Sequence, residues 1–232
     1  MGRTNDLRET LIRNIQDNDD YPNLEFVVLN YNSEDDMHEF MTSAAVLPYI
    51  GSGRIRYLIT RSPRFYSSPH SHNVAFRNAT GEIVTSVDAD NFTGKGFAAY
   101  LNRLASVGPK KAFFARGKRK IHGRIGMYKD EFEKIGGYDE DLEGYGFDDH
   151  SLMIRAMNDG CTLMWWARGS GVEFANRIWT PRKRIAENMA NSNWKETESR
   201  NIELTMVKVG CGDLVANRNR IWGYAEDLVA FT

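Results

Sequence analysis

Two carboxylates one residue apart, Asp88 and Asp90, follow the β-branched run Ile83-Val84-Thr85-Ser86-Val87. Val and Ile favour a buried strand, and open α/β sheets bind ligands just beyond the carboxyl ends of their strands. Two hard oxygen donors in that place suit a divalent cation that also holds phosphate oxygens. The spacing alone decides nothing, because Asp17-Asn18-Asp19 and Asp139-Glu140-Asp141 share it. The first of these follows an amphipathic helix and the second lies in a glycine-rich loop. Neither ends a hydrophobic strand, so Asp17 and Asp19 read as a solvated helix exit.

A second constellation runs from Gly136 to Asp149, where two glycine turns precede the pair Asp148-Asp149 at the start of a helix. Acidic residues there satisfy orphan N–H groups and the helix macrodipole, which is a purely structural role. The same field favours an ionised carboxylate, as a general base requires. Both readings stand on the local pattern.

The elements that must position these groups alternate. Thr4 and Asn5 are candidate caps for a helix carrying Leu7, Leu11, Ile12 and Ile15 on one face. Leu24 to Leu29 reads as a buried strand, Asn30 to Ser33 as a polar turn, and Met37 to Ala44 as an amphipathic helix. Ile55 to Ile59 is the next strand, and Ser68-Pro69 opens a helix closed by Gly81. Strands alternating with helices predict right-handed βαβ units and a mostly parallel central sheet with helices on both faces. Beyond Asp90 the pattern changes. Gly94 to Leu104 reads as helix, Ala112 to Ala115 and Arg124 to Tyr128 as short strands, Asp148 to Asn158 as a helix ended by Gly160, and Thr162 to Trp166 as a strand. Pro181 opens a charged helix in a mixed C-terminal third.

Composition narrows the class. At 232 residues the chain can bury a full core as one α/β domain. A formal net charge of −1 excludes a global field toward nucleic acid or anionic membranes. Cys161 and Cys211 lack metal-ligand spacing and no secretory signal is visible, so free thiols and a cytoplasmic location are expected. No apolar run reaches the length of a membrane span.

With these motifs in order, the chain resembles the family 2 glycosyltransferases with the GT-A fold. Ser71 to Val84 is similar to that family's helix and strand entering its Asp-x-Asp motif, here Asp88-Ala89-Asp90. Gly136 to Asp149 resembles its acceptor-side glycine loop, and the likeness extends to about Trp166. The resemblance implies a single domain, with residues 1–93 as the nucleotide-sugar half and 94–232 as the acceptor-side half and a C-terminal helical segment. It implies a nucleotide-diphosphate sugar donor, UDP-linked by preference, and a carbohydrate or other hydroxyl acceptor. Asp90, assisted by Asp88, would hold a manganese or magnesium ion. Arg3, Asn30, Asn32, Asn73 and Asp88 would bind the nucleotide sugar. Asp149 would be the base of an inverting displacement, with Asp148 orienting the acceptor. Family members usually begin with a hydrophobic strand ahead of the segment matching Met1-Gly2-Arg3. That strand is absent ahead of Arg3: either the numbered chain lacks its true beginning or another segment fills the central sheet, and a missing strand would expose sheet edges and weaken the nucleotide pocket.

Lesser signals have bland readings. Arg116 to Lys120 with His122 and Arg124 is a solvated basic loop or a phosphate-binding lid. His70 and His72 cap a helix or line the pocket, and His150 faces solvent. Trp165 and Trp166 alternate between core and surface, and Gly51-Ser52-Gly53-Arg54 is a turn. No histidine follows His150, so Glu173 or Asn176 would replace a downstream metal ligand. Two other classes compete: a non-catalytic binding or assembly module on a decayed glycosyltransferase fold, and a phosphatase using an Asp-x-Asp nucleophile, against which Asn91-Phe92 argues.

Overall fold

Amphipathic spacing places Leu11 and Ile15 on the inner face of α1 (Thr4–Gln16), where both are buried. Its N-cap is Arg3 rather than Thr4 or Asn5, and Asp35 accepts the Thr4 N–H at 3.0 Å. The computed structural model describes residues 1–115, 125–165 and 187–232. In chain order the next elements are β1 (Phe26–Tyr31), α2 (Met37–Met41), α3 (Leu47–Gly51), β2 (Ile55–Thr60), α4 (Ser68–Asn78) and β3 (Ile83–Thr85). There follow α5 (Phe97–Val107), β4 (Ala112–Ala115), β5 (Gly126–Tyr128), α6 (Lys129–Lys134), α7 (Asp148–Asn158), β6 (Thr162–Trp165), α8 (Trp194–Gly210) and β7 (Val229–Phe231).

The strands form two sheets, ordered β1-β2-β7 and β3-β5-β4-β6. The α/β class is as expected, but the pairing among the described residues is mixed rather than mostly parallel. β1–β2 and β4–β6 are parallel, whereas β2–β7, β3–β5 and β4–β5 are antiparallel. The connections explain this. A parallel neighbour needs a crossover of a dozen residues or more, and β4 and β5 are joined by fewer. β7 arrives from the end of the chain and lies antiparallel on β2. Asp227 pins it there, accepting from Thr60 Oγ1 at 2.5 Å, Arg61 N at 2.6 Å and Ser62 N at 2.9 Å. Those donors hold its carboxyl down at about 2.

One core cluster packs α1 and α2 against β1 and β2 through Leu11, Ile15, Val28, Phe40, Met41 and Tyr57. Another joins Phe76 of α4, Val84 of β3, Phe132, Tyr138, and Leu152 and Ala156 of α7. Each fully buried side chain of this size contributes roughly 1.5 to 3 kcal/mol, so the second cluster fixes α7 relative to β3. Arg155 reinforces it from within, donating to Ile135 O at 2.9 Å and Gly137 O at 2.6 Å. Burial brings its guanidinium down to about 10, still charged at neutral pH.

Candidate active site

β3 stops at Thr85, so Asp88 and Asp90 sit on the turn beyond it. α1 holds that turn from the side: Thr10 Oγ1 donates to Ala89 O at 2.6 Å and Asn14 Nδ2 to Asn91 O at 2.9 Å. Asn91 Nδ2 donates to Asp90 Oδ1 at 2.7 Å. The other Asp90 oxygen receives the Arg3 guanidinium at 2.9 Å. Asp90 is 4% exposed.

The Asp148-Asp149 pair stands at the first turn of α7, behind Phe147, whose φ of +69° is a left-handed conformation unusual for a non-glycine residue. Gly144 and Gly146 flank that bend, and the backbone reaches it through Gly137. At Gly137 φ is +65° and a side chain would meet Asn73 Oδ1 at 2.5 Å, so only glycine fits. Asp148 accepts a short hydrogen bond from the Ser68 hydroxyl at the start of α4. Asp149 accepts from the Tyr138 hydroxyl at 3.3 Å. Burial, then the Asp148 and Asp88 charges, push the Asp149 carboxyl well above the ordinary carboxylate range. Desolvation and like charge therefore outweigh the helix dipole that was expected to keep it ionised.

A cavity of about 890 Å³ brings Arg3, Asp88, Asp90, Asp148, Asp149 and His72 together. That volume is in the range of small-molecule sites. His72 stacks on Tyr138 with ring centroids 4.8 Å apart and its Nδ1 lies 2.8 Å from Ser68 O; it lines the cavity, while the cap of α4 is Ser67. His150 is exposed, stacks on Phe147 and reaches the cavity mouth.

Three expected nucleotide contacts lie elsewhere. Asn30 belongs to β1 rather than to a turn and is fully buried, donating to Tyr57 Oη at 3.1 Å and accepting from Ser33 N at 2.9 Å. Asn73 is likewise sealed in the core, clamping Tyr138 through both its N–H and its carbonyl and donating to Glu140 at 2.8 Å. Asn32 donates to Pro63 O at 3.0 Å and does not line the cavity. Each amide found partners in the chain itself, because a buried polar group left unmatched is costly. Sequence reasoning missed Ser68 and Tyr138, which fix the two α7 carboxylates. Their only signal was proximity to the motifs.

Asp17 is buried and pairs with Arg13 at 2.9 Å rather than being solvated, Asp19 is exposed, and Asp139 and Asp141 each accept from Lys208 at 2.7 Å. Arg54 of the glycine turn donates to the Asn18, Tyr21 and Leu24 carbonyls, a loop clamp rather than a phosphate site. His70 lies between Tyr31 Oη at 2.6 Å and Tyr224 O at 3.0 Å. The basic segment 116–124, Trp166, Glu173, Asn176 and the helix from Pro181 lie outside the described residues. Among the described residues no helix is long and apolar enough to cross a membrane.

This arrangement, a strand-end acidic pair facing a helix-start acidic pair across one cavity, is set in the GT-A type of glycosyltransferase fold. A mannosyltransferase from Pyrobaculum calidifontis, solved with GDP-mannose and manganese, shares that fold: TM-score 0.57, 21% identity, 73% of this chain and 55% of that one covered. The chain thus spans about half the length of that enzyme. A mutant Drosophila beta-1,4-galactosyltransferase 7 in complex with manganese, UDP-galactose and xylobiose is similar at TM-score 0.48 and 12% identity over 75% of this chain and 79% of that one. A family profile described as the N-terminal domain of galactosyltransferase matches residues 104–180. No curated protein sequence matches the chain.

Proposed function

We propose that the chain is a metal-dependent, inverting glycosyltransferase, hexosyltransferase-like, moving a sugar from a nucleotide-diphosphate donor, UDP-linked by preference, to a hydroxyl of a carbohydrate or other acceptor. The observation that carries this reading is the convergence of Asp88, Asp90, Asp148, Asp149 and Arg3 on one cavity in a glycosyltransferase fold. We read residues 1–232 as one domain. The free thiols of Cys161 and Cys211 support a cytoplasmic setting.

A manganese or magnesium ion fits the donors present. Asp90 is buried and already faces a cation in Arg3, and Asp88 lies on the same turn. Asp90 and Asp88 would hold the ion, with donor phosphate oxygens as further hard ligands. When bound, the ion offsets negative charge on the departing diphosphate.

The chain's own groups supply the rest. Arg3 adds positive charge beside the diphosphate, and Asp88 meets the ribose. Asp149 takes the proton of the acceptor hydroxyl as its oxygen bonds to the anomeric carbon and the carbon–diphosphate bond breaks, inverting that carbon. A carboxylate with a raised pKa suits this role, since a base works best near the operating pH. Asp148, held by Ser68, orients the acceptor. Such a base contributes about 10²- to 10⁴-fold, and aligning donor with acceptor contributes more.

The test is release of nucleotide from a panel of nucleotide sugars with manganese present. Turnover that is lost in chelator, and lowered at least about 100-fold in Asp90→Asn, is the expected result. Full activity in chelator overturns metal dependence. The Arg3–Asp90 ion pair favours a second reading, a non-catalytic nucleotide-sugar module whose metal site is already neutralised; binding without turnover or donor hydrolysis would support it.

A further inference from the structure

The loop that leads into α7 carries a large side chain where its backbone favours glycine. φ is +69° at Gly144, +101° at Gly146 and +69° at Phe147. Glycine takes such angles freely, whereas a bulky residue is strained in them. A glycine at position 147 would make the same turn, so the phenyl ring is the part of the residue that the turn does not need. That ring is half-buried, lines the cavity directly before Asp148 and Asp149, and stacks on His150 with centroids 5.3 Å apart and planes 15° from parallel. Strain kept at a cavity wall points to a role for the side chain.

The long helix α8 holds this rim from outside. Thr197 Oγ1 accepts from Tyr145 N at 3.1 Å and donates to Tyr145 O at 3.0 Å, while Asn201 Nδ2 donates to Gly146 O at 2.9 Å and Glu143 O at 3.1 Å. Both clamping residues are buried. Glu198, on the same helix, packs against Gly146, where an added Cβ would lie 3.1 Å from its own Cβ, and its residue lines the cavity. The rim thus places one aromatic face among the carboxyl groups of Asp148, Asp149 and Glu198.

An aromatic face among hydrogen-bond acceptors matches a pyranose ring, which has an apolar C–H face and a rim of hydroxyl donors. The electron-rich face of the phenyl ring attracts C–H groups, and carboxylates accept from hydroxyls. An acyclic alcohol offers the hydroxyl without the face. We propose that Phe147 and Glu198 form an acceptor subsite for a pyranoside, whose ring lies on Phe147 with His150 backing the opposite face, while one hydroxyl donates to Glu198 and another reaches Asp149. The subsite rests on the transferase reading above and narrows its acceptor from any hydroxyl compound to a sugar ring.

The probe is a panel of methyl pyranosides and pyranose disaccharides, with glycerol and sorbitol as ring-free controls, offered to the full chain with and without UDP and manganese. Saturation-transfer difference NMR reads binding and shows which ligand protons touch the protein. At least one pyranoside should bind through its C–H face, at least about tenfold more tightly than either polyol. Phe147→Gly should weaken that pyranoside at least about tenfold while the melting temperature holds or rises, because glycine relieves the left-handed backbone. Phe147→Tyr should keep affinity within about threefold of wild type, and Glu198→Gln should lower it at least about threefold. Absence of pyranoside binding, equal binding of the polyols, or unchanged affinity in Phe147→Gly or Glu198→Gln overturns the proposal. A ring that only packs gives the opposite pair in Phe147→Gly, a lower melting temperature with unchanged affinity. Pyranoside binding without any sugar transfer would sink the proposed function alone, and transfer with an acceptor KM unchanged in Phe147→Gly would sink the subsite alone.

Discussion

The Arg3 guanidinium lies 2.9 Å from the carboxylate of Asp90, a residue whose side chain is 6% exposed. A positive charge from the start of the chain thus occupies one oxygen of the acidic pair in the place where we propose that a divalent cation binds. Arg3 is also held by Asp6 at 2.5 Å, so it has an alternative partner when displaced from Asp90.

Competition follows from that geometry. Arg3→Gln should bind manganese several-fold more tightly, because the ion no longer displaces a guanidinium. Nucleotide-diphosphate affinity should fall in the same variant, since a charge beside the phosphates is lost. Manganese titration by electron paramagnetic resonance, paired with nucleotide titration, reads both. Unchanged manganese affinity would show that Arg3 does not guard the site.

Asp149→Asn separates chemistry from binding. The amide cannot accept the hydroxyl proton, so transfer should drop roughly 100-fold to 10,000-fold while donor affinity barely changes. If transfer persists, or if donor affinity falls in proportion to rate, Asp149 is a structural group at a helix start.

The pH dependence has a definite sign. A base must be deprotonated, and the Asp149 carboxyl is raised by burial and by the charges of Asp148 and Asp88. Transfer should therefore climb with pH through a range above the ordinary Asp value of about 3.9, and the climb should vanish in Asp149→Asn. A rate already flat from pH about 4.5 upward contradicts a raised base.

The same shift bears on stability. A carboxyl whose folded pKa exceeds its unfolded value contributes stability fully below about pH 4 and loses it as pH rises through the folded value. Asp149→Asn should thus melt higher than the wild type at neutral pH, with the margin shrinking on acidification. About 1 kcal/mol corresponds to a shift of roughly 2 to 4 °C in a chain of this size. A lower melting temperature at neutral pH runs against the argument.

Asn73→Ala tests the corrected placement of a residue first expected to touch the nucleotide. Its hydrogen bonds hold Tyr138 and Glu140, so stability should fall by about 2 to 4 kcal/mol. Nucleotide affinity of the protein that remains folded should stay within about threefold, since 1.4 kcal/mol is tenfold in affinity. Loss of affinity without loss of stability would restore Asn73 to the donor pocket.

Local pattern carried a good part of this protein. The helix start at Asp148, the α1 face of Leu11 and Ile15, the strand at Ile55 and the acidic turn after Val87 were all legible, because helical period, β-branching and glycine turns act over a few residues. The pairing of β7 with β2, the clamp of Asp227 on Thr60 and the seating of Arg3 on Asp90 were not legible, because each joins segments distant in sequence. Asn30 and Asn73 show the same limit from the other side. An amide beside a motif reads as a ligand contact, yet whether it faces a cavity or a buried backbone depends on which groups the fold brings opposite it. The raised carboxyl of Asp149 is likewise a collective property: the helix start was visible in sequence, but the burial and neighbouring charges that outweigh its dipole arise only when α7 packs against β3 and α4.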